Sequence, residues 1–151
     1  MKKNTKILYI DLDGVIADFV SAMSSHPLKN TSPYDEHPDM IPHIFRNLEP
    51  LEGAIKAVNQ LLEANSYKVY FLSTAPWDNP SAWTDKRLWL ADKFGDKINK
   101  RLILTHRKDL IKGDILIDDR PNNGAAQFDG EWIHFGSETY PNWEAVLNYL
   151  L

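Results

Sequence analysis

The chain has 151 residues, 43% of them hydrophobic and 25% charged, with a formal charge of −4 at pH 7; that is the composition of one folded domain with a real core. No run of Lys and Arg is long enough to follow a phosphate backbone or an anionic membrane surface, so bulk charge argues against nucleic-acid polymer and membrane partners but not against a small phosphorylated metabolite. Cysteine is absent, which removes disulfides, thiolate nucleophiles and cysteine-based zinc sites.

Met1 to Lys6 is polar and basic, but the apolar run that follows is cut at once by Asp11 and Asp13, unlike the unbroken centre of a signal peptide. No segment approaches the roughly 20 apolar residues of a membrane helix, and a cytoplasmic location is the expectation. Ile7-Leu8-Tyr9-Ile10 reads as a strand buried on both faces, with Gly14 giving the chain freedom for a sharp exit. Val15 to Met23 is a helix candidate. The texture then turns irregular, with Pro27, Pro33, Pro38, Pro42 and Pro50 interrupting regular structure; residues 20–50 are expected to form a small cap or lid inserted into a single domain, 1–151.

Ala54, Ile55, Val58, Leu61 and Leu62 recur at helical spacing and predict a helix over about Gly53 to Ala64. Tyr67 to Leu72 is a second strand, ending in Ser73-Thr74. A second helix runs from about Ser81 to Phe94, with Trp83, Leu88, Leu90 and Ala91 among its apolar positions, and Gly95 closes it. Leu102 to Leu104 and Ile115 to Ile117 are further strands, Trp132 to Phe135 a fifth, and Asn142 to Leu150 a closing helix. Apolar strands alternating with helices predict an α/β fold, a mainly parallel sheet with helices on both faces.

In such a sheet ligands bind at the carboxyl ends of the strands. Four strands here hand over to polar residues at that end: Asp11 and Asp13, then Thr74, then Lys108, then Asp118 and Asp119. Crowded carboxylates repel one another unless a cation is present, and carboxylate oxygens with water are what Mg²⁺ prefers. Aspartate is a known nucleophile toward phosphorus, a second acid two residues on is placed to protonate the leaving oxygen, and hydroxyl and ammonium donors suit phosphoryl oxygens. Ser73 competes with Thr74 for the hydroxyl role, and Arg107 and Lys112 compete with Lys108. Asp114 enters its strand about 13 Å from Asp118, too far to share an ion, and reads as structural. His26, His37 and His43 lack fixed spacing and read as surface residues. Trp83 and Trp89 read as helix-packing residues, whereas Phe19 and Trp77 are candidate pocket residues. Arg120 is expected to anchor the last loop by pairing with a carboxylate.

Ile-Asp-Leu-Asp-Gly-Val at 10–15 resembles the first motif of the haloacid dehalogenase-like superfamily, Phe-Leu-Ser-Thr at 71–74 its second, Lys108 its third and Ile-Asp-Asp at 117–119 its fourth. The strings at 11–19, 48–54, 73–76 and 116–121 are similar to the 5'(3')-deoxyribonucleotidase branch, type C. This resemblance implies a three-layer Rossmann-like fold and a Mg²⁺-dependent phosphomonoesterase acting on a nucleoside monophosphate. It makes Asp11 nucleophile and metal ligand, and Asp13 acid/base and metal ligand through its backbone carbonyl. Asp119 becomes the third protein ligand, Asp118 a close neighbour that orients water or Lys108, and Thr74 and Lys108 the phosphate-binding donors. The stretch from about Ser21 to Leu48 is shorter and richer in proline than the helical cap of members that act on deoxynucleotides, so the resemblance speaks for the chemistry more than for base preference. The alternatives are a phospho-accepting receiver-like domain, a phosphatase for another small metabolite, and a family member that binds nucleotides without hydrolysing them.

Overall fold

The computed structural model describes residues 4–151; the first three residues of the basic start Met1–Lys6 lie outside the described residues. Five strands form one sheet: β1 (Lys6–Ile10), β2 (Tyr67–Ser73), β3 (Leu102–Leu104), β4 (Ile115–Asp118) and β5 (Glu131–His134). All pairings are parallel, in the spatial order β3-β2-β1-β4-β5. Four α-helices accompany them, α1 (Phe19–Ser25), α2 (Ala54–Glu63), α3 (Pro80–Phe94) and α4 (Trp143–Leu150). The fold is the expected α/β, Rossmann-like one.

Strand alternation divides the core into two layers. Leu8, Ile10, Val69, Phe71, Ile115 and Ile117 face the buried residues of α2, α3 and α4. Tyr9, Leu72 and Leu116 face the opposite way, onto Ala125 and Phe128, where single helical turns at Lys108–Leu110 and Ala125–Gln127 replace full helices. The strand order explains the asymmetry. Right-handed crossovers put connections on one face while the chain steps from β1 to β3, and on the other once it reverses towards β5. The reversal falls between β1 and β4, the position where open α/β sheets bind ligands.

Two local expectations are corrected. The helix foreseen from Val15 starts only at Phe19, with Asp18 accepting from the Ser21 amide. Before it, the Leu12 carbonyl accepts from the amides of Val15, Ile16 and Ala17 at 3.2, 2.8 and 2.9 Å, and Gly14 takes φ +77°, which a side chain would oppose. The chain is thus folded into a tight loop where a helix would need an open ladder. In α3 the buried stripe is Ala82, Asp85, Lys86, Trp89, Leu90 and Phe94, a face rotated from the one read through Trp83, Leu88 and Ala91. Two charged residues stand at core positions of that stripe and disguise its phase.

The irregular stretch between α1 and α2 is bound to the body rather than apart from it. Ile41, Ile44, Phe45 and Leu48 are buried, and α3 supplies hydrogen bonds that regular structure would otherwise provide: Trp89 Nε1 to the Leu48 carbonyl at 2.8 Å, with Asn79, at its N-terminus, to those of Asp39 and Ile41. No helix among the described residues is long and apolar enough to cross a membrane.

From the far end of the chain, Trp143 donates its indole N–H to the Val15 carbonyl at 2.8 Å, fixing α4 against the loop after β1. Trp143→Phe leaves that buried carbonyl unpaired, and the expected loss is about 1–3 kcal/mol, read as a lower urea midpoint with an unchanged slope.

Candidate active site

The register of β1 and β4 brings the acids together. Ile10 pairs with Ile117 and the Asp11 amide donates to the Ile117 carbonyl at 2.9 Å, so Asp11 leaves its strand level with Asp118. Carboxylate oxygens of Asp11, Asp118 and Asp119 all lie within 4.8 Å of one another. Asp11 and Asp118 are buried. Asp119 comes in over Gly14, where a Cβ would meet Asp119 Oδ2 at 2.1 Å; at this position the missing side chain makes room for an acid.

Lys108 is the counter-charge. Its Nζ lies 2.5 Å from Asp118 Oδ2 and 3.3 Å from Asp11 Oδ1, and its amide donates to the Asn123 carbonyl at 2.8 Å. Of the rival cations, Arg107 is engaged elsewhere, gripping Asp109 through Nε and Nη2 at 2.9 and 2.7 Å, and Lys112 lies outside the recess that holds Lys108, its backbone carbonyl accepting from the Tyr9 hydroxyl on the other face of the sheet. One ammonium does not neutralise three acids. Burial raises Asp11 to about 7 against the pull of Lys108, and raises Asp119 to about 6, with the Asp11 charge adding to the effect. Asp118 is also raised, by burial, despite the Lys108 contact. Burial works against the Lys108 ammonium too, yet Asp11 and Asp118 outweigh it and hold its pKa above the ordinary lysine value.

Such a cluster fits a hard divalent cation. The donors are all carboxylate oxygens, and Asp119 Oδ1 is buried without a hydrogen-bond partner, a costly condition unless something charged meets it. Asp118 Oδ2 is committed to Lys108, which makes Asp119 and Asp11 the better direct ligands.

Asp13 stands apart from this trio. Its carboxylate pairs with the ammonium of Lys86, which is buried inside α3. Lys86 also donates to Ser73 Oγ at 3.1 Å and lies 4.5 Å from the centre of the Phe45 ring. Lys86 was absent from the residues singled out in the sequence. The available signal was its place, with Asp85, on the stripe defined by Ala82, Trp89 and Leu90. Of the two hydroxyls, Thr74 Oγ1 donates to the Thr105 carbonyl at 2.7 Å, so its one proton is engaged, while Ser73 accepts from Lys86.

A narrow recess is lined by Asp11, Ser73, Thr74, Lys108 and Asn122. Beside it, and sharing Asp13, Thr74 and Asn123, opens a cavity of about 500 Å³ whose walls include Phe19, Phe45, Pro76 and His106, a size suited to a small organic ligand. Phe19 stacks on Phe45 with ring centres 5.0 Å apart. Trp77 is 76% exposed and outside the cavity wall; it packs against His106, which lines the cavity, with ring centres 5.9 Å apart. Arg120 lines the cavity, and its expected pairing with a carboxylate is made by its backbone N–H, to Asp118 Oδ1 at 3.1 Å, rather than by its guanidinium. Asp114 accepts from the Ile7 amide, tying the start of β1 to the start of β4. His26, His37 and His43 take no part in the acidic trio; His43 instead contacts Asp85.

Residues 34–146 match the family described as "5' nucleotidase, deoxy (Pyrimidine), cytosolic type C protein". The chain is 46% identical over 149 residues to a protein of Vibrio phage KVP40 provisionally named as a 5'(3')-deoxyribonucleotidase, covering 99% of this chain and 86% of that one. It is 25% identical over 175 residues to the human 5'(3')-deoxyribonucleotidase, cytosolic type, covering 97% and 81%. With the Bacillus subtilis 5'(3')-deoxyribonucleotidase it shares 26% identity over 174 residues, covering 97% and 99%.

Because Asp11 and Asp119 bind protons more tightly in the folded chain than in the unfolded one, their contribution to stability is complete below about pH 4 and is lost as pH rises through about 6 and 7. In chelator the protein is therefore expected to melt at falling temperatures from about pH 5 to about pH 8, and Asp11→Asn to flatten that slope. Thermal scans across this range check it; an equally steep slope in the variant speaks against the assignment.

Proposed function

This chain belongs to the cytosolic type C deoxy-pyrimidine 5'-nucleotidase family, within the haloacid dehalogenase-like superfamily, and we propose that it hydrolyses a nucleoside monophosphate through a phosphoryl group carried on Asp11, with Mg²⁺ as cofactor. Phosphatase activity of the 5'-nucleotidase type follows from the family. The observation that carries the finer reading is the trio of Asp11, Asp118 and Asp119 within 4.8 Å, facing a single lysine.

In this reading the phosphate enters the narrow recess and the nucleoside occupies the cavity beside the Phe19–Phe45 stack. Asp11 and Asp119 hold the cation, with Asp118 close by and the Asp13 backbone carbonyl as a further ligand. Bound there, Mg²⁺ supplies the positive charge that offsets the phosphate and favours the ionised form of Asp11. An Asp11 oxygen forms a bond to phosphorus as the bond to the leaving oxygen breaks, and Asp13 gives its proton to that oxygen. Asp13 then takes a proton from water as the water oxygen attacks phosphorus, the Asp11–phosphorus bond breaks, and inorganic phosphate leaves. Lys108 meets the phosphoryl oxygens as a point charge, with Ser73 and Thr74 at the same wall; Thr74 must give up its bond to the Thr105 carbonyl to donate there. A cytoplasmic setting belongs to the same proposal, the location carried by the human relative's name. The receiver-like alternative rests on shared side-chain types alone, and no observation here favours it.

Asp11→Asn is expected to lower kcat at least about 1,000-fold, the amide being a poor nucleophile, and chelation of Mg²⁺ to abolish turnover reversibly. Phosphate release from nucleoside monophosphates measures both. Normal turnover by Asp11→Asn, or full activity in excess chelator, would overturn the mechanism.

A further inference from the structure

A lysine folded into a protein interior requires partners, since an ammonium taken out of water without them costs several kcal/mol. Lys86 is 2% exposed and reaches three separate segments: Asp13 from the loop after β1, Ser73 from the end of β2, and the face of Phe45 from the irregular stretch. The arrangement mirrors Lys108, which serves Asp11 and Asp118 from the other side. Two lysines from two elements thus divide three of the four acids, and Asp119 is held by neither. Asp13 is drawn towards α3 and out of the trio that suits a cation, yet its side chain remains 23% exposed and lines both the recess and the cavity.

We propose that Lys86 is a positioning residue for Asp13: by donating to Asp13 Oδ2, it keeps this side chain off the cation cluster and leaves Oδ1, the oxygen that carries the transferred proton, aimed at the oxygen leaving from the substrate. The inference rests on the reading of Asp13 as acid/base. Ser73 and the Phe45 ring fix the ammonium in turn, so the geometry of proton transfer depends on contacts from three segments and not on the first motif alone. A lysine that only balanced buried charge would affect every substrate alike. One that aims the proton donor matters most when the leaving group is basic and least when it departs readily without a proton.

The test compares kcat/KM, which reports the step that expels the leaving group, for a nucleoside 5'-monophosphate and for p-nitrophenyl phosphate. The ratio of the two values is independent of the fraction of enzyme that is folded. In Lys86→Met the nucleotide-to-aryl ratio is expected to fall at least about tenfold, in the same direction as in Asp13→Asn. Should Lys86→Met fail to fold, Lys86→Gln carries the same measurement with a smaller fall. A ratio lowered by Asp13→Asn but unchanged in the Lys86 variants overturns the positioning role and leaves Asp13 as acid/base. A ratio unchanged in Asp13→Asn overturns both.

Discussion

Mutual repulsion among buried carboxylates at the ends of β1 and β4 governs the arrangement of this site. Two like charges about 4 Å apart repel by about 4 kcal/mol at an effective dielectric constant near 20, and three oxygens within 4.8 Å cannot all stay ionised in isolation. The molecule answers with Lys108, with protons whose uptake follows from the raised values of Asp11 and Asp119, and with the space that Gly14 leaves for Asp119. Where those protons are absent, three carboxylates and one ammonium leave two negative charges unbalanced, a deficit that a divalent cation would offset. The scaffold holds its acids in a state less stable than a neutral core would be, and in the proposed chemistry that tension is relieved when metal and phosphate arrive together.

The sheet makes such crowding possible. Parallel strands paired through β1 and β4 deliver their carboxyl ends to one edge, and the reversal of strand order at that pair opens the edge to ligands. The backbone around the acids is tied down on every side. The Asp118 carbonyl accepts from the Trp132 indole and the Phe135 amide at 3.0 Å each, and the His134 ring donates to the Asp119 carbonyl at 3.0 Å. Side chains that repel can be held in place only by a frame that does not give.

The stretch between α1 and α2 has another part. Its prolines prevent a regular hydrogen-bond ladder, so its carbonyls are met by side chains, Asn79 and Trp89 among them. In exchange it brings Phe45 to two neighbours at once, stacked on Phe19 at the cavity wall and set over the Lys86 ammonium. Cavity shape and the environment of Asp13 are therefore joined through one aromatic ring.

Much of this was readable in advance. Short apolar runs at 7–10 and 115–117, and the stretch 67–72 broken by Lys68, read as buried strands once length and flanking turns are weighed, and acids placed directly after the first and last of these runs must emerge at one edge if the sheet is parallel. Hence the fold class and the meeting of acids from the first and fourth strands followed from local pattern, which counted Asp13 among them and left Arg107 and Lys112 beside Lys108 until the family resemblance chose. Three features did not. The loop at 12–17 forms because the Leu12 carbonyl collects three amides, a competition that periodicity does not reveal. Trp77 lies outside the cavity wall and His106 in it, because the turn after Pro76 and the loop after β3 meet only in the folded chain. Lys86 eluded the pattern for the most physical of reasons. A lysine is expected in water, and only contacts from residues 73, 13 and 45, distant in the chain and adjacent in space, make its burial tolerable. Local order is set by neighbours in sequence, whereas the fate of a buried charge is decided by partners that tertiary structure alone assembles.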